Sequence, residues 1–419
     1  MATSTAKPTT MFSLSTELQQ AIIEKTDRTG IKSIRLACRE LSAAADYVFM
    51  EKFFATREHL LTSHSLQVLV EISKILRLSK KIRTVEFIHM HPSQYTWEHQ
   101  TGVVDEDAKW YSIFWDTNES AVNLIREFLE NLKKAGTSPA IVIEEAPTVF
   151  GTSHCRGDGV TGYYGEKRLE RELEMASPFD YFSFDRTAFE HRWSNDIEVH
   201  WLLSSIVAAK FPVLSLDFSL QAPYHFERAS PALGIESSLA LGKCLSSLTS
   251  LTLRFDPDAS WKLVGVYNSL YHALAGCKAL RKVSLGLLRG NRGWEKFDDH
   301  YDDSPLFSGI LSNASHVESL TLHDCQISQA SLHGLLASCA GALEELCLTQ
   351  FAIEPGAKWK DTFLWIAKNC TQLKQFEPYA LFQGSEKLQQ PIKINSETSM
   401  AEKMREFAED AVFAIEPLE

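Results

Sequence analysis

Val317-Glu-Ser-Leu320-Thr-Leu322-His-Asp-Cys325-Gln-Ile327 decides how the rest of the chain is read. Leu320 and Leu322 alternate with Ser319, Thr321 and His323, the period of a strand with one apolar and one polar face. Val317 upstream and Cys325 and Ile327 downstream extend the apolar set past the strand. A strand this short cannot bury its apolar face alone, so it needs strands beside it and a layer beneath. The spacing recurs as Phe211-x-x-Leu214-x-Leu216, Leu248-x-x-Leu251-x-Leu253, Leu280-x-x-Val283-x-Leu285, Leu343-x-x-Leu346-x-Leu348 and Leu373-x-x-Phe376. Amphipathic stretches at 197–211, 261–277 and 328–340 lie between the copies and predict helices. Strands that alternate with helices predict an α/β fold with a parallel sheet.

The 317–327 copy resembles a leucine-rich repeat, with Cys325 at the position that family fills with Asn or Cys. The resemblance implies an irregular solenoid: parallel strands stacked side by side, a helix behind each, and a side chain at 325 that bonds the turn backbone. The copies start at 211, 248, 280, 317, 343 and 373, so the spacing is uneven and insertions are expected. A compact α/β domain with leucine-rich strands is the alternative. The repeat body is placed at 197–419. Residues 58–196 are read as a helical linker with degenerate repeats and insertions.

Residues 14–41, LSTELQQAIIEKTDRTGIKSIRLACREL, carry a second pattern. Ser15 and Thr16 suit a helix N-cap, because a hydroxyl there can accept from N–H groups of the first turn. Glu17 follows where the helix dipole favours a carboxylate. Leu18, Ile22 and Ile23 stand at helical spacing, and Asp27-Arg28-Thr29-Gly30 reads as the break. Ile31, Ile34, Leu36, Cys38 and Leu41 start a second apolar series that continues through Ala44, Ala45 and Val48.

Leu14, Glu17, Leu18, Ile22, Ile23, Ile31, Ile34, Leu36, Cys38, Arg39 and Leu41 are placed as in an F-box, and residues 12–57 resemble that module. Ser15 stands where the family has proline, and Thr26 where it has leucine. The tract 65–87, SLQVLVEISKILRLSKKIRTVEF, is similar to what many fungal F-box proteins carry next. The resemblance implies a substrate-recognition subunit of a ubiquitin ligase. The F-box would dock on a Skp adaptor, and through it on a cullin, using Leu14, Leu18, Ile22, Ile23, Ile34, Leu36, Cys38 and Leu41. The repeat body would bind a target protein. The alternative is a leucine-rich-repeat-like scaffold with a degenerate F-box and no ligase role.

Strand alternation places the target-binding candidates on the face opposite the leucines: Arg254, Lys282, Ser319, Thr321, His323 and Glu345, with Ser250, Thr252, Ser284 and Thr349. Arg254 and Lys282, its two basic members, suit an acidic or phosphorylated target.

The formal net charge of −12 argues against nucleic-acid partners and anionic membranes. Residues 12–87 run the other way, with more Lys and Arg than Asp and Glu. No run of apolar residues is long enough to span a bilayer, and 1–11, MATSTAKPTTM, is polar and expected to be disordered. Eight cysteines form no C-x-x-C pair. Most sit in apolar runs, as reduced buried thiols do, which points to cytoplasm or nucleus.

Enzyme signatures are missing. No G-x-S-x-G elbow, Walker loop or G-x-G-x-x-G precedes a helix. His89 and His91, with His99, lack cysteine or carboxylate partners at ligand spacing. No catalytic residue, metal or cofactor is expected. Between 88 and 196 the sequence predicts a helix at 117–136, a strand at 140–143, a glycine-rich loop at 151–165 and a charged helix at 165–176. The aromatic residues from Tyr95 to Trp115 read as packing.

Overall fold

The structure, a computed structural model, describes Met11 and residues 14–89, 118–145, 196–220, 235–255, 270–287, 304–311, 314–354 and 356–383, with short pieces between 386 and 405. Nine strands form one parallel sheet whose order follows the chain. They are β1 Thr56–Leu60, β2 Thr84–His89, β3 Ala140–Glu145, β4 Ser215–Leu220, β5 Ser250–Phe255, β6 Lys282–Leu287, β7 Ser319–Ile327, β8 Glu345–Ile353 and β9 Gln375–Gln383. Two short strands, β10 Glu386–Lys387 and β11 Ile394–Asn395, pair antiparallel with β9.

Parallel neighbours need a crossover between them, and helices supply it. α4 Ser63–Lys74 and α5 Leu76–Ser79 join β1 to β2. α6 Asn118–Ala135, α7 Asp196–Ala209 and α8 Ile235–Leu245 lie in the next three connections. Residues 270–274 are helical before β6, and α9 Ser304–Leu311, α10 Gln329–Ala337 and α11 Trp359–Asn369 complete the layer. Gly136, at φ +70°, ends α6. Its N–H donates to Lys133 O and that of Thr137 to Leu132 O, which is the left-handed helix ending glycine favours.

The register explains the alternation. Val85, Ile141, Leu216, Leu251, Val283, Leu320, Leu346 and Phe376 are neighbours across the sheet and are all buried against the helices. A backbone ladder continues below it. Ala55, Leu214, Thr249, Arg281, Glu318 and Glu344 each offer one carbonyl to two successive N–H groups of the next unit. That bonding does not depend on the side chains, so it holds where the leucines lapse.

One reading is corrected by this register. Leu214 is 40% exposed, while Val213, Leu216 and Phe218 are buried, so the first copy is Val213-x-x-Leu216-x-Phe218, two residues on from the expected one. Ile82-x-x-Val85-x-Phe87 is a full copy in the same register, and β1 begins at Thr56. The sheet therefore begins at Thr56 and runs on through the segment read as helical linker and degenerate repeats, and β3 pairs with β4 across residue 197 without a break. In β1 itself Arg57 and His59 stand in the leucine columns.

The N-terminal module is three helices: α1 Thr16–Glu24, α2 Arg28–Ala37 and α3 Arg39–Phe54. The break read at Asp27 to Gly30 falls at the start of α2: α1 has ended at Glu24, and Asp27 caps α2 by accepting from the Gly30 N–H at 2.7 Å. Ser15 occupies the N-cap of α1, but its hydroxyl accepts from no backbone N–H there. At the other end of α1, Lys52 of α3 donates from Nζ to the carbonyl of Glu24, its last residue, and to that of Thr26 just beyond it. Ile23, Ile31, Ala44, Ala45 and Val48 form a core distinct from the large core under the sheet.

The helix expected at 117–136 and the strand at 140–143 are α6 and β3. The expected loop at 151–165, the helix at 165–176, His91, His99, the Tyr95–Trp115 aromatics and most of 261–277 lie outside the described residues. Among the described residues, no helix is long and apolar enough to cross a membrane.

Candidate interaction surfaces

The helices α1 to α3 sort the eight apolar residues singled out in the sequence. Ile23 is buried and Ile34 packs on the same core. Leu14, Cys38 and Leu41 are half-buried. Leu36, Leu18 and Ile22 stand outside, at 87%, 55% and 47% exposure. Leu18 and Ile22 are one turn apart on α1, so they share a face.

The module is fixed to the sheet through charge. On α3, Asp46 holds Arg35 of α2 by Oδ1 at 3.1 Å and Arg77 of α5 by Oδ2 at 3.2 Å. Glu51 holds Lys81 and Arg83, both at 2.7 Å, and Lys81 lies over the Tyr47 ring. The Arg35 guanidinium also stacks on Phe49 at 3.7 Å. In β1, His59 is buried where later units carry an aromatic or aliphatic residue. Its Nδ1 lies 3.0 Å from Ser65 O and its Nε2 3.2 Å from Arg57 Nη2. Burial, with the Arg57 charge adding to it, drives its pKa down to about 3, so the ring is neutral.

The outward face of the sheet has three positions per strand. The first carries Ser250, Lys282, Ser319, Glu345 and Gln375. The second carries Asp217, Thr252, Ser284, Thr321, Cys347 and Glu377. The third carries Arg254, Gly286, His323, Thr349 and Tyr379. Lys282 and Glu345 are exposed, while Ser319, Thr321, His323 and Arg254 are half-buried.

Arg254 does not project freely: its Nη2 donates to Asp217 Oδ1 at 3.2 Å. Burial still raises the Asp217 pKa, against the pull of Arg254 and of the nearby His323. The His323 Nδ1 lies 3.1 Å from Asp324 Oδ2. Its ring lies directly over Gly286 of β6, where any side chain would collide with it. Asp324, Gln350 and Ala380 follow the third outward position in β7, β8 and β9, and all three have left-handed φ, from +47° to +56°. The three strands therefore turn together, and Cys325, Phe351 and Leu381 enter the core beyond the turn.

Tyr379 and Asp217 were not singled out in the sequence. The copy that holds Tyr379 is broken by Pro378 in a leucine column, which hides its register. The copy that holds Asp217 was read two residues out of phase.

No disulfide joins the described cysteines, and burial pushes the thiols of Cys277 and Cys339 up to about 11 and that of Cys370 to about 12. Such thiols are poor nucleophiles. Among the described residues no three His, Cys, Asp or Glu side chains are grouped to hold a metal. No family model matches the chain, and no curated protein matches it.

Proposed function

We propose that the chain is the substrate-recognition subunit of a Skp–cullin–F-box ubiquitin ligase. In this reading α1 to α3 are the F-box and dock on the Skp adaptor, which brings the cullin. The sheet and its helices are a leucine-rich-repeat-like solenoid whose outward face holds the target protein. Ubiquitin transfer falls to the other subunits, and the chain works in the cytoplasm or nucleus. The observation that carries the reading is the exposure of Leu18, Ile22 and Leu36 on a module whose own core is already filled by Ile23 and Ile31. Leu18 and Ile22 share an exposed face of α1, and a contiguous apolar face outside a filled core marks a surface meant to be covered.

Co-purification with the Skp adaptor tests this. Leu18→Glu with Ile22→Glu should abolish it and leave the circular dichroism spectrum unchanged, because both side chains lie outside the core. Equal adaptor recovery from wild type and variant would reject the assignment. If wild type recovers no adaptor, the second reading holds: an interaction scaffold whose F-box-like segment, with Ser15 and Thr26 at the family's proline and leucine positions, has lost the adaptor.

A further inference from the structure

From Ile72 to Val85 the chain carries five basic residues, Lys74, Arg77, Lys80, Lys81 and Arg83, and no acidic one. Lys74 is paired with Glu71 and Glu127 on the outer helices. Arg77, Lys81 and Arg83 gather on α3, where Asp46 and Glu51 receive them. Asp46 also holds Arg35, so two carboxylates face four cations and leave two positive charges unbalanced. Lys80, exposed at the end of α5, has no ion pair among the described residues and adds a third.

These groups form one surface. Arg77 reaches Asp46 at 3.2 Å, and Tyr47 follows Asp46 on α3. The Lys81 ammonium lies over the Tyr47 ring, 4.6 Å from its centroid, and shares Glu51 with Arg83. The surface is open: the Arg77 and Arg83 side chains are 64% and 69% exposed, and Tyr47 is 46% exposed. An aromatic ring in contact with solvent therefore stands among cations that α3 only half balances.

We infer that this surface around Tyr47 docks an acidic segment of a partner protein, with an apolar side chain of that segment laid against the tyrosine ring. The charge excess selects the sign of the occupant. Its carboxylates meet guanidinium and ammonium donors at Arg77, Lys80 and Arg83, which are the strong kind of hydrogen bond. The charge of the rest of the chain selects the class. The protein as a whole carries −12, so a nucleic-acid strand or an anionic membrane, extending past the patch, meets the acidic body as well. A short peptide segment touches the patch alone. The surface uses none of the residues assigned to adaptor docking or to the outward face of the sheet, so the inference does not rest on the ligase reading.

The test is fluorescence anisotropy on the full chain at low salt, where charge contacts are least screened. The probes are a blocked, labelled peptide of glutamates around one leucine, its glutamine analogue, a single-stranded oligonucleotide and vesicles containing phosphatidylserine. The glutamate peptide should bind most tightly. Arg77→Gln with Lys80→Gln should weaken it about tenfold. Lys243→Gln with Lys368→Gln removes the same charge from exposed positions on α8 and α11, and should change binding by less than about twofold. A melting curve like that of wild type shows that the patch variant is folded. If it melts early, Arg83→Gln replaces it, since Glu51 keeps Lys81, and should weaken binding about threefold. The inference is overturned if the glutamate peptide does not bind, if its glutamine analogue binds equally, if the oligonucleotide or the vesicles bind more tightly, or if the patch variants behave like the α8 and α11 control. Adaptor recovery by the same preparations reads the ligase assignment separately, so either can fail alone.

Discussion

The His323 imidazole occupies the space above Gly286, its partner on the adjacent strand, so the two residues form one steric unit. A methyl group at 286 would meet ring atoms at 2.0 to 2.2 Å, and it is the ring that yields, since it ends a rotatable side chain. Gly286→Ala should therefore fold, with a stability change within about 1 kcal/mol. The His323 ring resonances should shift strongly in an NMR spectrum. Unmoved His323 resonances would contradict the packing.

Leu320 and Thr321 are adjacent and face opposite ways: Leu320 is buried in the main core and Thr321 is half-exposed on the outward face. Leu320→Asp places a carboxylate in an apolar interior at a cost of several kcal/mol by order of magnitude, comparable to the stability of a whole domain. Urea denaturation should show it unfolded or strongly destabilised, with Thr321→Asp close to wild type. Similar midpoints for both would mean that the β7 register is wrong.

His59 links stability to pH. Its folded pKa, about 3, lies below the ordinary histidine value, so the unfolded chain binds the proton first as pH falls. The stabilisation is complete above the unfolded value near 6.5 and is lost as pH drops towards 3. The slope across that window is about 1.4 kcal/mol per pH unit. His59→Phe, which matches Phe87 beside it, should remove this slope. The check is the wild-type-minus-variant difference in unfolding free energy between pH 7 and pH 5. A difference that does not change with pH would exclude His59 as its source.

Asp46 joins three elements, so its loss should act at the joint and not in either core. Asp46→Ala should cost about 1 kcal/mol, since Asp46 and its two partners, Arg35 and Arg77, are all partly exposed. High salt should narrow the gap between wild type and variant in a melting experiment. A gap of several kcal/mol that ignores salt would show that Asp46 contributes packing instead.

Ser15 has φ −63° and ψ 157°, values that proline adopts without strain. Ser15→Pro should therefore be tolerated, and it should raise stability by less than about 1 kcal/mol through the unfolded chain. Adaptor recovery should rise with it. A drop in melting temperature would mean that the Ser15 N–H or side chain holds a contact α1 needs.

The sequence made the α/β class and the parallel strands legible from β5 onward, because Leu248, Leu280, Val317 and Leu343 start copies whose columns hold only aliphatic residues. It misplaced the β4 copy because Leu214 imitates a core leucine. The spacing alone cannot distinguish Phe211-x-x-Leu214 from Val213-x-x-Leu216, whereas hydrogen bonding to β5 can. β1 was hidden by its own chemistry, since Arg57 and His59 break the apolar pattern and are held by polar contacts that no periodicity announces. The outward face could be listed from strand alternation. Its charge balance could not, since the Asp217–Arg254 pair and the lean of His323 depend on which residues become neighbours across strands.

Because strand order follows the chain, every parallel pairing in the sheet joins strands that are consecutive in sequence. Structure can start at any adjacent pair and spread both ways, one unit at a time. The same connectivity leaves the number of units unconstrained: a unit added by duplication would form its own ladder with its neighbours and disturb no pairing elsewhere. Length, and with it the span between the two surfaces, is the dimension this architecture leaves free to change.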